Sequence, residues 1–160
     1  MPPKIDWSRI NIIPDYDTQE WWDATKEGRL LVRGCNVCGH RWWPPNVPGC
    51  ANCGELEHLG YVESKGGGNV HTFIVIMQPI IAPFLEAVPY ISAMIDLDDI
   101  KNVDGNPVRL QGVIDEGEDK VGINSKVELY FEQISDDGKK VPRWRLSEQQ
   151  PDNVWLFPGP

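Results

Sequence analysis

The sequence predicts a mainly β protein: an N-terminal helix, a rubredoxin-like zinc ribbon, then a small OB-fold β-barrel. Three observations carry this. Cys35-x2-Cys38 and Cys50-x2-Cys53 form two knuckles separated by eleven residues, the pattern of a four-thiolate metal site. After them, short apolar runs alternate with glycine and aspartate turn signals, as in a barrel or sandwich. Before them, one stretch carries both a start and a stop signal for a single helix. The boundaries expected are 1–28 for an arm and helix, 29–58 for the ribbon, 59–147 for the barrel and 148–160 for a tail.

Residues 1–16 contain Pro2, Pro3 and Pro14 among Ile5, Trp7, Ile10, Ile12 and Ile13. This reads as an extended arm lying either on its own domain or on another subunit. Asp17-Thr18-Gln19-Glu20 has the form of a capping box, with a helix to about Glu27 and Gly28 as its left-handed stop. Trp21 and Trp22 fall on that helix, where neighbours point about 100° apart. One is expected to pack on its own domain and the other to face a partner or ligand.

Residues 29–33 read as a short strand leading into the ribbon. Gly39 and Gly54 each follow a knuckle's second cysteine, where the turn needs positive φ and backbone N–H groups reach the sulfurs. Arg33, His40 and Arg41 flank the first knuckle and would offset the net −2 charge of zinc with four thiolates. Some twenty residues cannot bury enough apolar surface alone, so the metal supplies their folding free energy. Iron in a rubredoxin-like site, disulfides, and His40 or His58 as competing ligands are the alternatives. A catalytic zinc needs an open ligand position, which four thiolates do not leave.

Barrel strands are expected at 56–63, 69–78, 89–97, 107–114, 126–134 and 141–146. Gly66-Gly67-Gly68 and Asp136-Asp137-Gly138 supply turns, and 98–106 a polar loop. Residues 79–88 form an irregular but apolar loop containing Phe84. The tail ends Asn153-Val154-Trp155-Leu156-Phe157-Pro158-Gly159-Pro160, too apolar to stay in water without cause.

A net charge of −9 and a pI near 4.7 disfavour nucleic acid, since counterion release requires clustered Lys and Arg. The same acidity disfavours an anionic membrane. No apolar run approaches the roughly 20 residues of a spanning helix. The first residues lack a signal-peptide core, so a reducing cytoplasm is expected.

No nucleophile elbow, phosphate loop or His-Glu-x-x-His occurs, so no catalytic residue is assigned. His71 reads as a core or rim histidine. Asp96, Asp98 and Asp99 read as solvated loop charge, because they lack calcium-loop spacing. Trp42-Trp43-Pro44-Pro45 reads as ribbon packing or an exposed aromatic edge.

Taken together, 28–35 (Gly-Arg-Leu-Leu-Val-Arg-Gly-Cys), Cys38-Gly39 with Pro44-Pro45, Cys50-Ala51-Asn52-Cys53-Gly54, 66–73, Val88-Pro89-Tyr90 and 126–131 resemble a family of zinc-ribbon plus OB-fold proteins encoded beside thiolases and other acyl-CoA enzymes. The resemblance covers roughly residues 16–147. Asn124 stands where the family often has glycine, the 98–106 loop is long, and the arm and tail look like additions. The resemblance implies a non-catalytic accessory subunit bound to a thiolase-fold partner, which supplies the catalytic residues of a thiolase or retro-aldolase in aromatic-compound or steroid degradation. It implies one structural Zn2+ on Cys35, Cys38, Cys50 and Cys53. Phe84 with Trp21 or Trp22 is then expected to line part of an acyl-CoA site. The rivals are a nucleic-acid-binding ribbon/OB protein and, more distantly, an electron carrier.

Overall fold

Asp15 opens the first helical turn, two residues before the expected capping box. Its carboxylate accepts the N–H of Thr18 at 2.9 Å, and Thr18 Oγ1 accepts the N–H of Asp15 at 3.2 Å. The reciprocal pair is thus Asp15 with Thr18, not Asp17 with Glu20, and it satisfies two otherwise orphaned donors. Helix α1 (Gln19–Lys26) follows, and Gly28 ends it at φ 75°. The computed structural model describes residues 2–158, so the last two tail positions lie outside the described residues. Among the described residues, no helix is long and apolar enough to cross a membrane.

Eight strands follow: β1 (Leu30–Cys35), β2 (Arg41–Trp42), β3 (Leu59–Ser64), β4 (Gly67–Ile76), β5 (Tyr90–Lys101), β6 (Pro107–Ile114), β7 (Lys126–Gln133) and β8 (Lys140–Leu146). β2, β1 and β3 make one three-stranded antiparallel sheet, and the other five close a barrel in the order β4-β5-β6-β8-β7. The strand expected to open the barrel therefore belongs to the ribbon sheet, with Leu30 opposite Ser64 and Cys35 opposite Leu59. Of the glycine triplet only Gly66 has positive φ; Gly67 and Gly68 lie within β4. β5 runs four residues further than expected and turns the 98–106 loop into a short hairpin end. Asn124 takes the left-handed conformation at φ 70°, which asparagine tolerates better than most residues.

One core joins the three parts. Trp21, Ala24, Leu30, Leu31 and Val32 are continuous with Val70, Ile91, Ile95, Leu110, Ile114, Val127 and Trp144 inside the barrel. Gly112 makes room for the largest of these, because a Cβ there would fall 2.4 Å from the Trp144 indole.

A charged network crosses the barrel wall. Arg143 is 1% exposed, bonds Asp115 through Nε at 3.1 Å and through Nη2, and bonds Glu132 through Nη1 at 3.1 Å. Burial lifts the Asp115 carboxyl above its ordinary range against the pull of Arg143. The arm reaches this network: Trp7 donates to Glu132, the Asp6 N–H bonds the Pro83 carbonyl at 2.9 Å, and Lys4 pairs with Glu86. Around these residues, then, the arm lies on its own domain.

Candidate metal centre

Each knuckle is a tight turn closed by its glycine. Gly39 (φ 78°) donates its N–H to the Cys35 carbonyl at 3.0 Å, and Gly54 (φ 79°) donates to that of Cys50 at 2.8 Å. The Cys38 N–H points at Cys35 Sγ, 3.5 Å away. β1 delivers Cys35, and the N–H of Cys50 is tied to the Glu55 carbonyl.

The turns face each other and bring four sulfurs together. Cys35 and Cys53 Sγ are 3.7 Å apart, Cys38 and Cys50 Sγ are 3.5 Å apart, and all four lie within 4.8 Å of one another. Ligands held tetrahedrally about 2.3 Å from one zinc ion stand about 3.8 Å from each other, so the set fits. Thiols this close do not ionise alike. The Asn52 side chain and the His40 N–H draw Cys38 down to about 6. Cys53 also receives an N–H, from Glu55, yet its sulfur neighbours push it up to about 12. A dication removes this conflict by letting all four bind as thiolates. The fourfold saturation makes the centre structural and leaves no ligand position for chemistry.

The charged neighbours divide differently from expectation. Arg41 stays at the knuckle, donating to the Cys35 and His40 carbonyls at 3.1 and 3.3 Å. Arg33 instead lies 4.8 Å over the Tyr61 ring, because the sheet puts β3 beside β1. His40 stacks on Trp42, and His58 bonds Glu55. Neither histidine joins the sulfur cluster.

Asn102 went unnoticed in the sequence. From the β5–β6 hairpin its side chain accepts the Arg41 N–H at 3.3 Å and donates to the Arg41 carbonyl at 3.0 Å. It serves as a one-residue strand partner that clamps the ribbon to the barrel.

Trp21 is buried in the core and donates its indole N–H to the Leu31 carbonyl at 3.1 Å. Trp43 packs against it at 5.3 Å, and Trp22 sits edge-on at 4.8 Å, partly exposed. Phe84 lies in a single 3-10 turn (Ala82–Phe84) against Tyr90, centroids 5.8 Å apart. Phe84 contacts a different aromatic group from the tryptophans.

His71 is exposed at the barrel surface, within 3.3 Å of Asp96, which also holds Arg109. The three aspartates lie on β5 rather than in a loop. Asp96 pairs with Arg109, Asp98 with Lys126, and Asp99 with the Ser64 hydroxyl and the Lys65 N–H.

Residues 22–58 match the family model of the ChsH2 rubredoxin-like zinc ribbon domain, and residues 61–132 match that of the ChsH2 C-terminal OB-fold domain. Among solved structures, the chain is similar to one described as Ltp2-ChsH2(DUF35) aldolase, with 27% identity and a TM-score of 0.70 over 85% of this chain and 98% of that one. A DUF35-family protein of unknown function from Sulfolobus solfataricus shares the fold at a TM-score of 0.52 and 17% identity, covering 82% of this chain and 86% of that one. A curated relative from Thermomonospora curvata, described as a probable enoyl-CoA hydratase alpha subunit, is 33% identical over 81 residues, 51% of this chain. The chain spans 24% of that relative's length. With a saturated four-cysteine ribbon joined to a five-stranded barrel, and both matched in order, the chain belongs to the ChsH2 family of zinc-ribbon and OB-fold proteins.

Proposed function

We propose that this chain is the non-catalytic, zinc-binding subunit of a thiolase-fold acyl-CoA enzyme, a thiolase or retro-aldolase acting in aromatic-compound or steroid degradation. The observation that carries the reading is the similarity to an aldolase-associated ChsH2 chain along nearly its whole length. The closed metal centre supports it, since its thiolates are consumed in holding the fold. In this reading the partner provides the reacting groups, and the small subunit supports the assembly and helps seat the acyl-CoA. The test is purification of the chain alone and with a thiolase-fold protein encoded beside it. Carbon–carbon cleavage or formation is expected only from the pair, and robust turnover by the chain alone overturns the reading.

The acyl-CoA contact is assigned to Phe84 and to the exposed edge of Trp22, with Trp21 as the buried support beneath Trp22. Titrating acyl-CoA into a complex carrying Phe84→Ala should show weakened binding; unchanged affinity returns the loop to a packing role.

A further inference from the structure

The barrel closes through a short stretch of β4. Only Gly67–Asn69 pair with β7, whereas β4 pairs with β5 as far as Ile76. The Val70 carbonyl and N–H still bond Asn124 and Ser125. Beyond Val70, the second edge of β4 has no strand beside it among the described residues.

That open edge borders an apolar groove of about 610 Å³. One wall is Phe73, Ile74 and Val75; the other is the tail, Trp155, Leu156 and Phe157. Ile74 is 61% exposed and Phe157 65%. The wall formed by the tail is fixed in place: Ile123 and Trp155 exchange backbone hydrogen bonds at 2.9 and 3.0 Å, and Trp155 and Phe157 pack edge to face. Glu118 and Asp119 line the same groove.

We propose that this groove is where the catalytic partner docks, by adding an extended segment of its own backbone to the free edge of β4. The inference rests on the subunit reading above and names its surface. An open strand edge offers unpaired N–H and C=O groups that a second strand completes, while alternate side chains enter the flanking apolar walls. The occupant therefore carries apolar side chains at alternate positions, with Lys or Arg opposite Glu118 and Asp119. Charge decides against the other occupants. A two-fold pairing of this chain with itself sets the same acidic patch on both sides, in a molecule already at −9. An anionic cofactor meets the same repulsion.

The experiment compares the wild-type chain with Ile74→Asp, Phe157→Asp and Glu118→Lys, each co-expressed with the thiolase-fold protein encoded beside it. Affinity and backbone hydrogen exchange are measured. Leu56→Asp, on the exposed ribbon surface, is the control. Complex formation should slow exchange at residues 71–76, and each groove variant should weaken it at least tenfold (about 1.4 kcal/mol) while Leu56→Asp leaves it unchanged. Phe157 lies outside the barrel, so its variant keeps the test independent of barrel folding. A complex that forms with full affinity in the groove variants, with no protection at 71–76, overturns the docking site and leaves the subunit reading standing. Sedimentation of the isolated chain as a dimer that Ile74→Asp dissociates also overturns it, because the occupant is then a second copy. No complex with the wild-type chain overturns both readings.

Discussion

The indole nitrogen of Trp7 donates to Oε1 of Glu132 at 3.0 Å, joining residues 125 positions apart. Glu132 in turn holds Arg143, so an arm that looks detachable in the sequence ends on the most deeply buried charge of the barrel. Trp7→Phe keeps an aromatic ring, though a smaller one, and deletes the donor. The expected cost is about 1 kcal/mol, or a few degrees in Tm for a chain of this size. Limited proteolysis should cut the first residues of the variant faster than those of the wild type.

Arg143 is the cation hydrogen-bonded to Asp115 in its buried setting. Arg143→Met leaves that carboxylate buried and unpaired, at an expected cost of about 3–5 kcal/mol. The sign of its pH dependence follows from the same burial. Asp115 already has a raised pKa, and losing Arg143 raises it further. A raised folded-state pKa favours folding at low pH and loses that advantage as pH climbs through it. The variant's deficit, measured by urea unfolding, should therefore be widest at neutral pH and shrink toward the acid side. Adding Asp115→Asn should recover part of it.

Loss of the metal should separate the two halves of the fold. Structural zinc contributes on the order of 10–16 kcal/mol to isolated fingers, whereas the barrel has its own apolar core. Cys50→Ser, or chelation under reducing conditions, should disorder residues 35–54 and leave most of the β-sheet circular dichroism. Elemental analysis of the intact protein should return one zinc per chain.

How much of this was legible in the sequence depends on the range of the interaction. The cysteines were readable because four thiolates at that spacing have few other uses, and the knuckle glycines behave as the turn chemistry requires. Most strand positions were readable from alternation and turn residues. Periodicity cannot say which sheet a strand joins, so the strand expected at 56–63 reads as part of the barrel, although β3 (Leu59–Ser64) pairs with β1. The helix start slipped because Asp15 and Asp17 each have a polar side chain three residues on, and only the folded backbone chooses between them. Asn102 gave no signal at all: its role comes from standing opposite Arg41, 61 positions away. The tail was legible as a segment too apolar for water, but not as one wall of a groove.

Gly122 is where the tail's attachment can be tested without touching its aromatic residues. A Cβ at this position would lie 2.2 Å from the Trp155 carbonyl oxygen, the same oxygen that accepts the Ile123 N–H. The glycine's φ is not in the left-handed region, so Gly122→Ala adds no backbone strain and acts through its contacts with the Trp155 carbonyl and, at 2.9 Å, the Val154 side chain. Neither the carbonyl nor the neighbouring bridge can give way cheaply, and the backbone pair between Ile123 and Trp155 should break. The barrel should keep its fold, at a cost of about 1–3 kcal/mol. Trp155 should become more accessible to acrylamide quenching, and a protease should release the residues after Gln150 more readily. A tail that stays protected in this variant shows that its hold comes from Gln150, whose side chain brackets Lys126, and from Asn153 on Asn124, rather than from the bridge.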